Sequence, residues 1–289
     1  MFTIERIEKQ YSTYVLSDRA AQSTIEVVPE RGGIITSWRY DDREILYLDG
    51  ERFKNPDLSV RGGVPILFPI CGNLPDNTYT YRGKEYYLKQ HGFGRDLPWQ
   101  VSDRIEDNLA GMTLTLQSSD RTKEVYPFDF ELAFTYELLG NSLKIKQRYT
   151  NRSREIMPFS AGFHPYFAVE DKTALQFNIP GSEYQPKDSP EIIPFAGNFD
   201  FDRDEIDVAF TKLDRNSTSF QDRRSGLEVA INYSDPYSTL VFWTVKGKDF
   251  ICLEPWSAPR NALNTKDKLT HLEPGKSCEW LVEMIVKKL

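Results

Sequence analysis

Apolar and polar residues alternate with a period of two along most of the chain. Between residues 132 and 138, and again between residues 143 and 149, one set of alternate positions is mostly apolar and the other mostly polar. This alternation predicts antiparallel strands with one buried face, and Gly140 with Asn141 between the two runs predicts a hairpin turn. The same pattern predicts further strands at residues 24–28, 113–117, 227–233, 240–245, 250–253 and 278–286.

The fold class follows from this periodicity. No segment has the 3.6-residue repeat of an amphipathic helix for more than a turn or two. We therefore predict an all-β fold, a large antiparallel β-sandwich, with residues 1–289 in a single domain. Two long connections, at residues 42–94 and 172–210, are rich in Pro, Gly, Asn and Asp. Loops of this kind on a rigid scaffold commonly carry binding groups.

The charge balance narrows the choice of partners. The chain has 36 basic and 43 acidic residues, a formal net charge of -7 and a pI near 5.2. This balance argues against nucleic acid or an anionic membrane surface as a partner, because both repel an acidic protein. We also expect no secretory signal and no membrane span, and three widely spaced cysteines predict reduced thiols in a cytoplasmic protein. The composition specifies no oligomeric state.

The chain has only three histidines, and His164 lies in the segment G-F-H-P-Y-F, residues 162–167. Imidazole is the side chain best suited to exchange a proton near neutral pH, and the flanking aromatic residues can provide an apolar wall. Pro165 restrains the backbone beside it. The alternative is a histidine that is buried in the core and hydrogen-bonded to the backbone.

His91 lies in the segment K-Q-H-G-F-G-R, residues 89–95. Gly92 and Gly94 allow the backbone to approach a ligand closely, and Arg95 offers a planar set of donors for hydroxyl, carboxylate or phosphate groups. The alternative is a glycine-rich surface turn with an ion pair between Arg95 and Asp96.

Glu254 follows an apolar strand and precedes Pro255 and Trp256. A carboxylate in this position is partly desolvated, which raises its pKa and makes it a stronger base. Trp256 offers a flat face on which sugar C–H groups stack, whereas the alternative for Glu254 is a carboxylate that caps a loop. Arg61, at the start of another buried strand, either points into a cleft or lies on the surface before a β-bulge.

Other kinds of site lack their motifs. The sequence contains no G-x-S-x-G motif, no phosphate-binding P-loop, and no H-x-H or H-E-x-x-H spacing. It also contains no C-x-x-C pair. We therefore predict no metal ion and no nucleotide cofactor.

Taken in order, the motifs resemble those of the aldose 1-epimerase, or galactose mutarotase-like, family. The resemblance extends over roughly residues 20–286. Its segments are R-G-G-V-P-I-L-F-P (61–69), G-K-E-Y (83–86), H-G-F-G-R (91–95), G-F-H-P-Y-F (162–167), I-D-V-A-F (206–210), L-E-P-W (253–256) and L-E-P-G-K-S (272–277). The family fold is a large antiparallel β-sandwich, in agreement with the period-two pattern.

The resemblance implies that the α and β anomers of a hexose or hexose phosphate are interconverted. It implies that Glu254 takes the proton from the C1 hydroxyl and that His164 protonates the ring oxygen. The ring then opens, the C1–C2 bond rotates, and closure reverses both roles without a cofactor. His91 matches a second family histidine that polarises the sugar near the ring oxygen, and Asp207 matches an aspartate that holds sugar hydroxyls.

The sequence departs from the best-known branch of the family at one position. Asn73 stands where that branch has an arginine, so we expect Asn73 to contact the sugar instead. The segments around Arg61 and Arg95 resemble those of hexose-6-phosphate epimerases, in which two arginines contact the phosphate. Residues 74–88 between them are more similar to a branch of broad or unassigned sugar epimerases.

Two further hypotheses come from other functional classes. A carbohydrate-binding protein that retains the cleft but not the activity would bind a sugar without accelerating anomer exchange. A glycoside hydrolase or lyase would need two carboxylates that flank the scissile bond, and Asp207 with Glu254 is the available pair. The small-molecule partner is a sugar or sugar phosphate in all three hypotheses.

Overall fold

A computed structural model describes all 289 residues of the chain. It contains 25 strands, three short α-helices and three 3-10 turns. The strands are β1 (Phe2–Glu8), β2 (Ser12–Asp18), β3 (Ser23–Val28), β4 (Ile34–Tyr40), β5 (Arg43–Glu44), β6 (Ile66–Leu67), β7 (Thr78–Tyr81), β8 (Lys84–Tyr87), β9 (Gln100–Ile105), β10 (Ala110–Gln117), β11 (Phe130–Leu139), β12 (Ser142–Asn151), β13 (Met157–Phe159), β14 (Gly162–Phe163), β15 (Tyr166–Ala168), β16 (Leu175–Asn178), β17 (Glu183–Pro186), β18 (Ile193–Pro194), β19 (Glu205–Phe210), β20 (Ser217–Asp222), β21 (Leu227–Tyr233), β22 (Thr239–Val245), β23 (Phe250–Trp256), β24 (Thr270–Leu272) and β25 (Ser277–Lys288). The helices are α1 (Gly50–Lys54), α2 (Asp120–Val125) and α3 (Ala262–Thr265), and the 3-10 turns are Pro29–Arg31, Pro75–Asn77 and Lys172–Ala174.

Three large sheets form the molecule. One has five strands in the order β1-β2-β3-β4-β5, and a second has eight in the order β16-β20-β21-β25-β12-β11-β10-β9. The third has the order β18-β17-β19-β22-β23-β14-β6, with β15 also paired to β23, and we call it the site sheet. Strands within these sheets pair antiparallel, so the predicted all-β sandwich is confirmed.

The hydrophobic core explains the period-two pattern. A cluster of 60 buried residues draws on all three large sheets, with Leu16 from β2, Phe134 from β11 and Leu253 from β23 among its members. Each predicted strand has a counterpart in the structure, because alternate side chains of a strand point to the same face and that face is buried here. None of the helices has the length and hydropathy needed to cross a lipid bilayer.

The site sheet has functional groups on the face that lies opposite the core. In β19, Ile206 and Val208 join the core and Asp207 lies between them on the other face. In β23, Leu253 joins the core and Glu254 lies on the other face. Period-two geometry thus separates the packing residues from the chemically reactive ones on the same strands.

Strand β23 is longer than the sequence pattern predicted. The predicted strand ended at residue 253, whereas pairing with β22 continues to Trp256 and places Glu254 inside the strand. Prolines are tolerated in a strand where a neighbouring strand is interrupted. Strands β14 and β15 leave such a gap beside Pro255.

A buried arginine holds one of the long connections against the sheets. Arg31 is 8% exposed, and its guanidinium donates hydrogen bonds to four backbone carbonyls between residues 53 and 58. These bonds use nearly all the donors of a guanidinium. They position the segment that leads from α1 to Arg61.

Replacing Phe134 by Ala is expected to lower the free energy of unfolding by about 3–5 kcal/mol, since it leaves a cavity in the core. The Phe134 ring is fully buried and packs against Trp99, Tyr149 and Phe163. Denaturant unfolding measures the effect. The control is Leu139→Ala at the half-exposed end of the same strand, where we expect a change within about 0.5 kcal/mol. Equal losses for both variants would contradict the assignment of this core.

Candidate functional site

A cavity of about 330 Å³ lies against the site sheet. Seven of the eight site residues predicted from the sequence line it, and Asn73 does not. The seven are Arg61, His91, Arg95, His164, Asp207, Glu254 and Trp256. The long connection at residues 42–94 supplies part of the wall, as expected for a loop on a rigid sheet.

Strand register brings His164 and Glu254 together. The pairings of β14 and of β15 with β23 share one register, and that register places His164 opposite Glu254. The strand is interrupted there, and the backbone N–H of His164 donates instead to the carbonyl of Pro65 at 3.1 Å. Nε2 of His164 lies 3.3 Å from Oε1 of Glu254. The structure thus forms an acid–base pair from residues 90 positions apart in the sequence.

Both members of this pair are desolvated. Glu254 is 1% exposed, and its other carboxyl oxygen accepts a hydrogen bond of 3.1 Å from Nε1 of Trp256. Burial, reinforced by the nearby Asp207, raises the pKa of Glu254 well above its ordinary value. Burial, together with the guanidinium of Arg95, lowers the pKa of His164 to about 3. Burial thus favours the neutral form of both side chains.

His91 occupies a strained turn at the edge of the same cavity. Its φ of 65° is in the left-handed region, and a Cβ at the next residue, Gly92, would overlap the carbonyl oxygen of Phe68. The backbone N–H of Gly72 donates to Nδ1 of His91 at 3.1 Å, so Nε2 bears the proton of the neutral ring. Burial, followed by the charge of Arg95, holds the pKa of His91 well below its ordinary value. His91 is thus a neutral hydrogen-bond donor.

Three arginines line the cavity without a carboxylate partner. The guanidinium carbon of Arg61 lies 5.9 Å from the ring centre of Trp243. Arg95 donates a hydrogen bond of 3.0 Å to the backbone carbonyl of Gln90. Arg52, from α1, donates through Nε to the carbonyl of Ser59 at 3.3 Å. Sequence reasoning missed Arg52, because nothing in its local sequence distinguishes it from a surface arginine.

Asp207 is held by two cations that sequence reasoning also missed. Arg260 donates to Oδ1 of Asp207 at 2.5 Å, and Nζ of Lys187 lies 3.6 Å from Oδ2. Burial raises the pKa of Asp207 although both cations oppose that rise. Arg260 ends the same L-E-P-W-S-A-P-R segment as Glu254, and this proximity in sequence was the available signal.

Asn73 differs from its expected role. It does not line the cavity, its carbonyl accepts a hydrogen bond from the N–H of Asn261 at 3.2 Å, and its Oδ1 is buried without a partner. The neighbouring Gly72 packs against Arg260. Through its backbone, residue 73 thus holds the segment that carries Arg260 and Asn261 beside Gly72.

One cluster of side chains has the composition of a metal site. The potential ligand atoms of His164, Cys252 and Glu254 lie within 4.8 Å of one another. Cys252 is fully buried, and burial raises the pKa of its thiol well above the ordinary value. Within this cluster, Nε2 of His164 and Oε1 of Glu254 lie 3.3 Å apart, at the distance of a proton-transfer pair.

Comparison with known proteins agrees with the fold and with the motifs. The aldose 1-epimerase family model matches residues 13–284. The crystal structure of the Slr1438 protein from Synechocystis superposes with a TM-score of 0.96 at 44% identity, over 100% of both chains. A galactose mutarotase-like protein from Clostridium acetobutylicum shares the fold, with a TM-score of 0.86 at 19% identity over 100% of this chain and 99% of its own.

A curated relative resembles part of the chain. It is a putative glucose-6-phosphate 1-epimerase from Salmonella typhimurium, 32% identical over 159 residues, which are 54% of this chain and 49% of that protein. The family match extends over nearly the whole sequence and includes all the motifs that line the cavity. The chain therefore belongs to the aldose 1-epimerase family, whose common chemistry is the interconversion of sugar anomers.

Proposed function

We propose that this chain interconverts the α and β anomers of a hexose, that a hexose phosphate is its preferred substrate, and that it needs no metal ion or cofactor. The observation that carries the proposal is the buried pair of Glu254 and His164, 3.3 Å apart on the wall of a 330 Å³ cavity. The C1 hydroxyl and the ring oxygen of a sugar are bonded to the same carbon. An acid and a base side by side therefore match the two atoms that exchange protons.

The reaction needs one proton to be shared between Glu254 and His164. Burial raises the pKa of the Glu254 carboxyl group and lowers that of the His164 imidazole, so the carboxyl group is the favoured holder of this proton before a sugar binds. A sugar hydroxyl that donates to the carboxylate favours its ionised form, and the proton moves to His164. Glu254 then takes the C1 hydroxyl proton while His164 protonates the ring oxygen, and the bond between C1 and the ring oxygen breaks. Rotation about C1–C2 and closure in the reverse sense yield the other anomer.

His91 and Trp256 complete the proposed sugar site. His91 is proposed to donate through its protonated Nε2, which lies 3.3 Å from the side-chain amide of Gln90, to an oxygen near the sugar ring. Trp256 is 1% exposed and Arg260 covers its ring, so its proposed role is to hold Glu254 in place through their hydrogen bond. Each positioned proton transfer contributes about 10²–10⁴-fold to a rate, so the pair suffices to accelerate a reaction that already proceeds slowly in water.

The charges around the cavity support a phosphorylated substrate. Five cationic side chains line it against three carboxyl groups, in a chain whose net charge is -7. Arg52, Arg61 and Arg95 have no carboxylate partner. One guanidinium group can donate two parallel hydrogen bonds to two oxygens of a phosphate. The Salmonella typhimurium relative carries the description of a putative glucose-6-phosphate 1-epimerase.

The alternative of a glycoside hydrolase has less support. That chemistry uses two carboxyl groups on either side of the scissile bond. Here Oδ1 of Asp207 already accepts from Arg260, and Glu254 is paired with His164.

Two further predictions concern the whole chain. We propose that residues 1–289 act as one domain, a view supported by the core of 60 residues shared among the three large sheets. We also propose a cytoplasmic location, which accords with three cysteines that are free thiols.

Glu254→Gln is expected to gain thermal stability relative to the wild type as pH rises. Above pH 4.5, the ordinary pKa of a glutamate, the unfolded wild type releases the proton of Glu254, whereas the folded wild type retains it. The free energy of unfolding therefore falls as pH rises from 4.5 toward the raised pKa of the folded state. Glutamine lacks this titration. Melting temperatures of both proteins at pH 5 and pH 8, with Glu51→Gln as an exposed control, measure the effect. If the melting temperatures of variant and wild type differ by the same amount at pH 5 and pH 8, the raised pKa of Glu254 is contradicted.

Glu254→Gln is also expected to lower the rate of anomer exchange by at least about 10²-fold, because the base is lost. Exchange between the anomeric protons of glucose, galactose and glucose 6-phosphate, measured by NMR, provides the assay. Full activity of the variant would refute the assignment of the base. Sugar binding by the wild type without faster exchange would favour the carbohydrate-binding alternative.

Arg61→Gln is expected to raise KM for glucose 6-phosphate by about 10-fold to 100-fold, since a hydrogen bond to a charged group is worth about 1.5–3 kcal/mol. KM for glucose should change little, so the unphosphorylated sugar is the internal control. An equal rise for both sugars would show that Arg61 binds a hydroxyl group or supports the loop. The same comparison applies to Arg95→Gln.

A further inference from the structure

The imidazole of His164 lacks the second hydrogen bond that commonly orients a functional histidine. Its Nε2 lies 3.3 Å from Oε1 of Glu254, whereas its Nδ1 is buried and has no partner in another residue. His91 differs, because its Nδ1 accepts from the backbone N–H of Gly72. The torsion that turns an imidazole ring has broad minima, so another contact must set the plane of the His164 ring.

Tyr166 provides that contact. Its ring stacks on the imidazole of His164, with ring centres 4.6 Å apart and planes inclined by 11°. The two residues are two positions apart, the spacing that places side chains on one face of an extended chain. Trp243 and His91 also lie against the imidazole, but their planes are inclined to it by 80° and 78°. Of these three neighbouring rings, only that of Tyr166 is parallel to the imidazole.

Tyr166 is itself held on several sides. Its backbone N–H donates to the carbonyl of Gly63, and its own carbonyl accepts from the N–H of Tyr47, both at 2.9 Å. Its ring packs against Phe250 and Trp243, with ring centres 5.1 Å and 5.8 Å away. Tyr166 is only 4% exposed. A ring that is enclosed in this way cannot follow the imidazole, and the stack therefore restricts rotation of His164.

We propose that Tyr166 is a positioning residue that fixes the plane of the His164 imidazole, so that Nε2 stays beside Glu254 and within reach of the sugar ring oxygen. The stack also favours the imidazolium that the proposed mechanism forms, because the face of an aromatic ring attracts a cation. This role rests on the proposed epimerase function, and Tyr166 fulfils it through His164 without touching the sugar. The role belongs to the aromatic ring and not to the hydroxyl group.

The test compares Tyr166→Phe, which keeps the ring, with Tyr166→Leu, which removes it. We expect Tyr166→Leu to lower kcat by about 10-fold to 100-fold, because displacement of a reacting group by about 1 Å can cost about 10²-fold. KM should change much less than kcat, since the acid acts in the transition state. Tyr166→Phe should retain most of the activity. Anomer exchange of glucose 6-phosphate, followed by NMR over a range of concentrations, gives both constants.

A second readout does not depend on activity. The chain has only three histidines, so the imidazole nitrogens of labelled protein give a simple NMR spectrum. In the wild type and in Tyr166→Phe, we expect the two nitrogens of His164 to keep the separate shifts of a single neutral tautomer. In Tyr166→Leu we expect these shifts to move towards each other, because the ring turns and its tautomers exchange. The shifts of His271, which lies outside the cavity, should stay unchanged.

The matched control is Tyr233→Leu. Tyr233, on β21, is 5% exposed and its hydroxyl group has no hydrogen-bond partner, but it does not line the cavity. The same change there should lower the free energy of unfolding as Tyr166→Leu does, and should leave kcat and the His164 shifts unaltered. If Tyr166→Leu does not fold, Tyr166→Met provides the same test, because an unbranched side chain adapts to the space that the ring leaves.

Three results would overturn the proposal. They are a wild-type kcat in Tyr166→Leu, an equal loss of kcat in Tyr166→Phe and Tyr166→Leu, and nitrogen shifts of His164 that are the same with and without the ring. If the wild type accelerates no anomer exchange, the proposed function fails instead. The nitrogen shifts then decide by themselves whether Tyr166 fixes the imidazole.

Discussion

The site depends on a carboxyl group and an imidazole that are buried side by side on neighbouring strands. Such a pair is costly to desolvate, and it is maintained here because strand register leaves no other position for either group. His164 lies in a gap of its strand, opposite Glu254, and its backbone N–H is satisfied by Pro65. Burial displaces the two pKa values in opposite directions. The proposed mechanism uses this difference, because it needs one proton that the two groups share.

The remaining walls are loops that are fixed by a few stereochemically demanding positions. Gly72 and Gly92 have positive φ, and in both a side chain would collide with a neighbour, Arg260 or Phe68. These glycines let the backbone approach the sheet closely enough to hydrogen-bond to His91 and to admit Arg260. Arg31 performs a similar task for the segment at residues 53–58 through hydrogen bonds to its carbonyls.

The cavity also differs from the rest of the molecule in charge. The chain is acidic overall, yet Arg52, Arg61 and Arg95 face the cavity without carboxylate partners. Cationic groups that are partly desolvated in a cleft attract anions more strongly than exposed ones do. We propose on this ground that the substrate is an anionic sugar, whose ring oxygen and C1 hydroxyl the buried pair next to the arginines would serve.

The antiparallel β fold is predictable from the sequence alone, because burial on one face of a strand imposes a period of two that is visible residue by residue. The sequence also indicated His91, His164 and Glu254, because their glycine, proline and aromatic neighbours form local motifs. Three features became visible only in the folded molecule: β23 extends past Glu254, Asn73 does not line the cavity, and three further cationic side chains do. The physical reason is that Arg52 and Lys187 reach the cavity through the docking of distant segments, and no local pattern records such contacts. For Arg260, the sequence signal was its position six residues after Glu254.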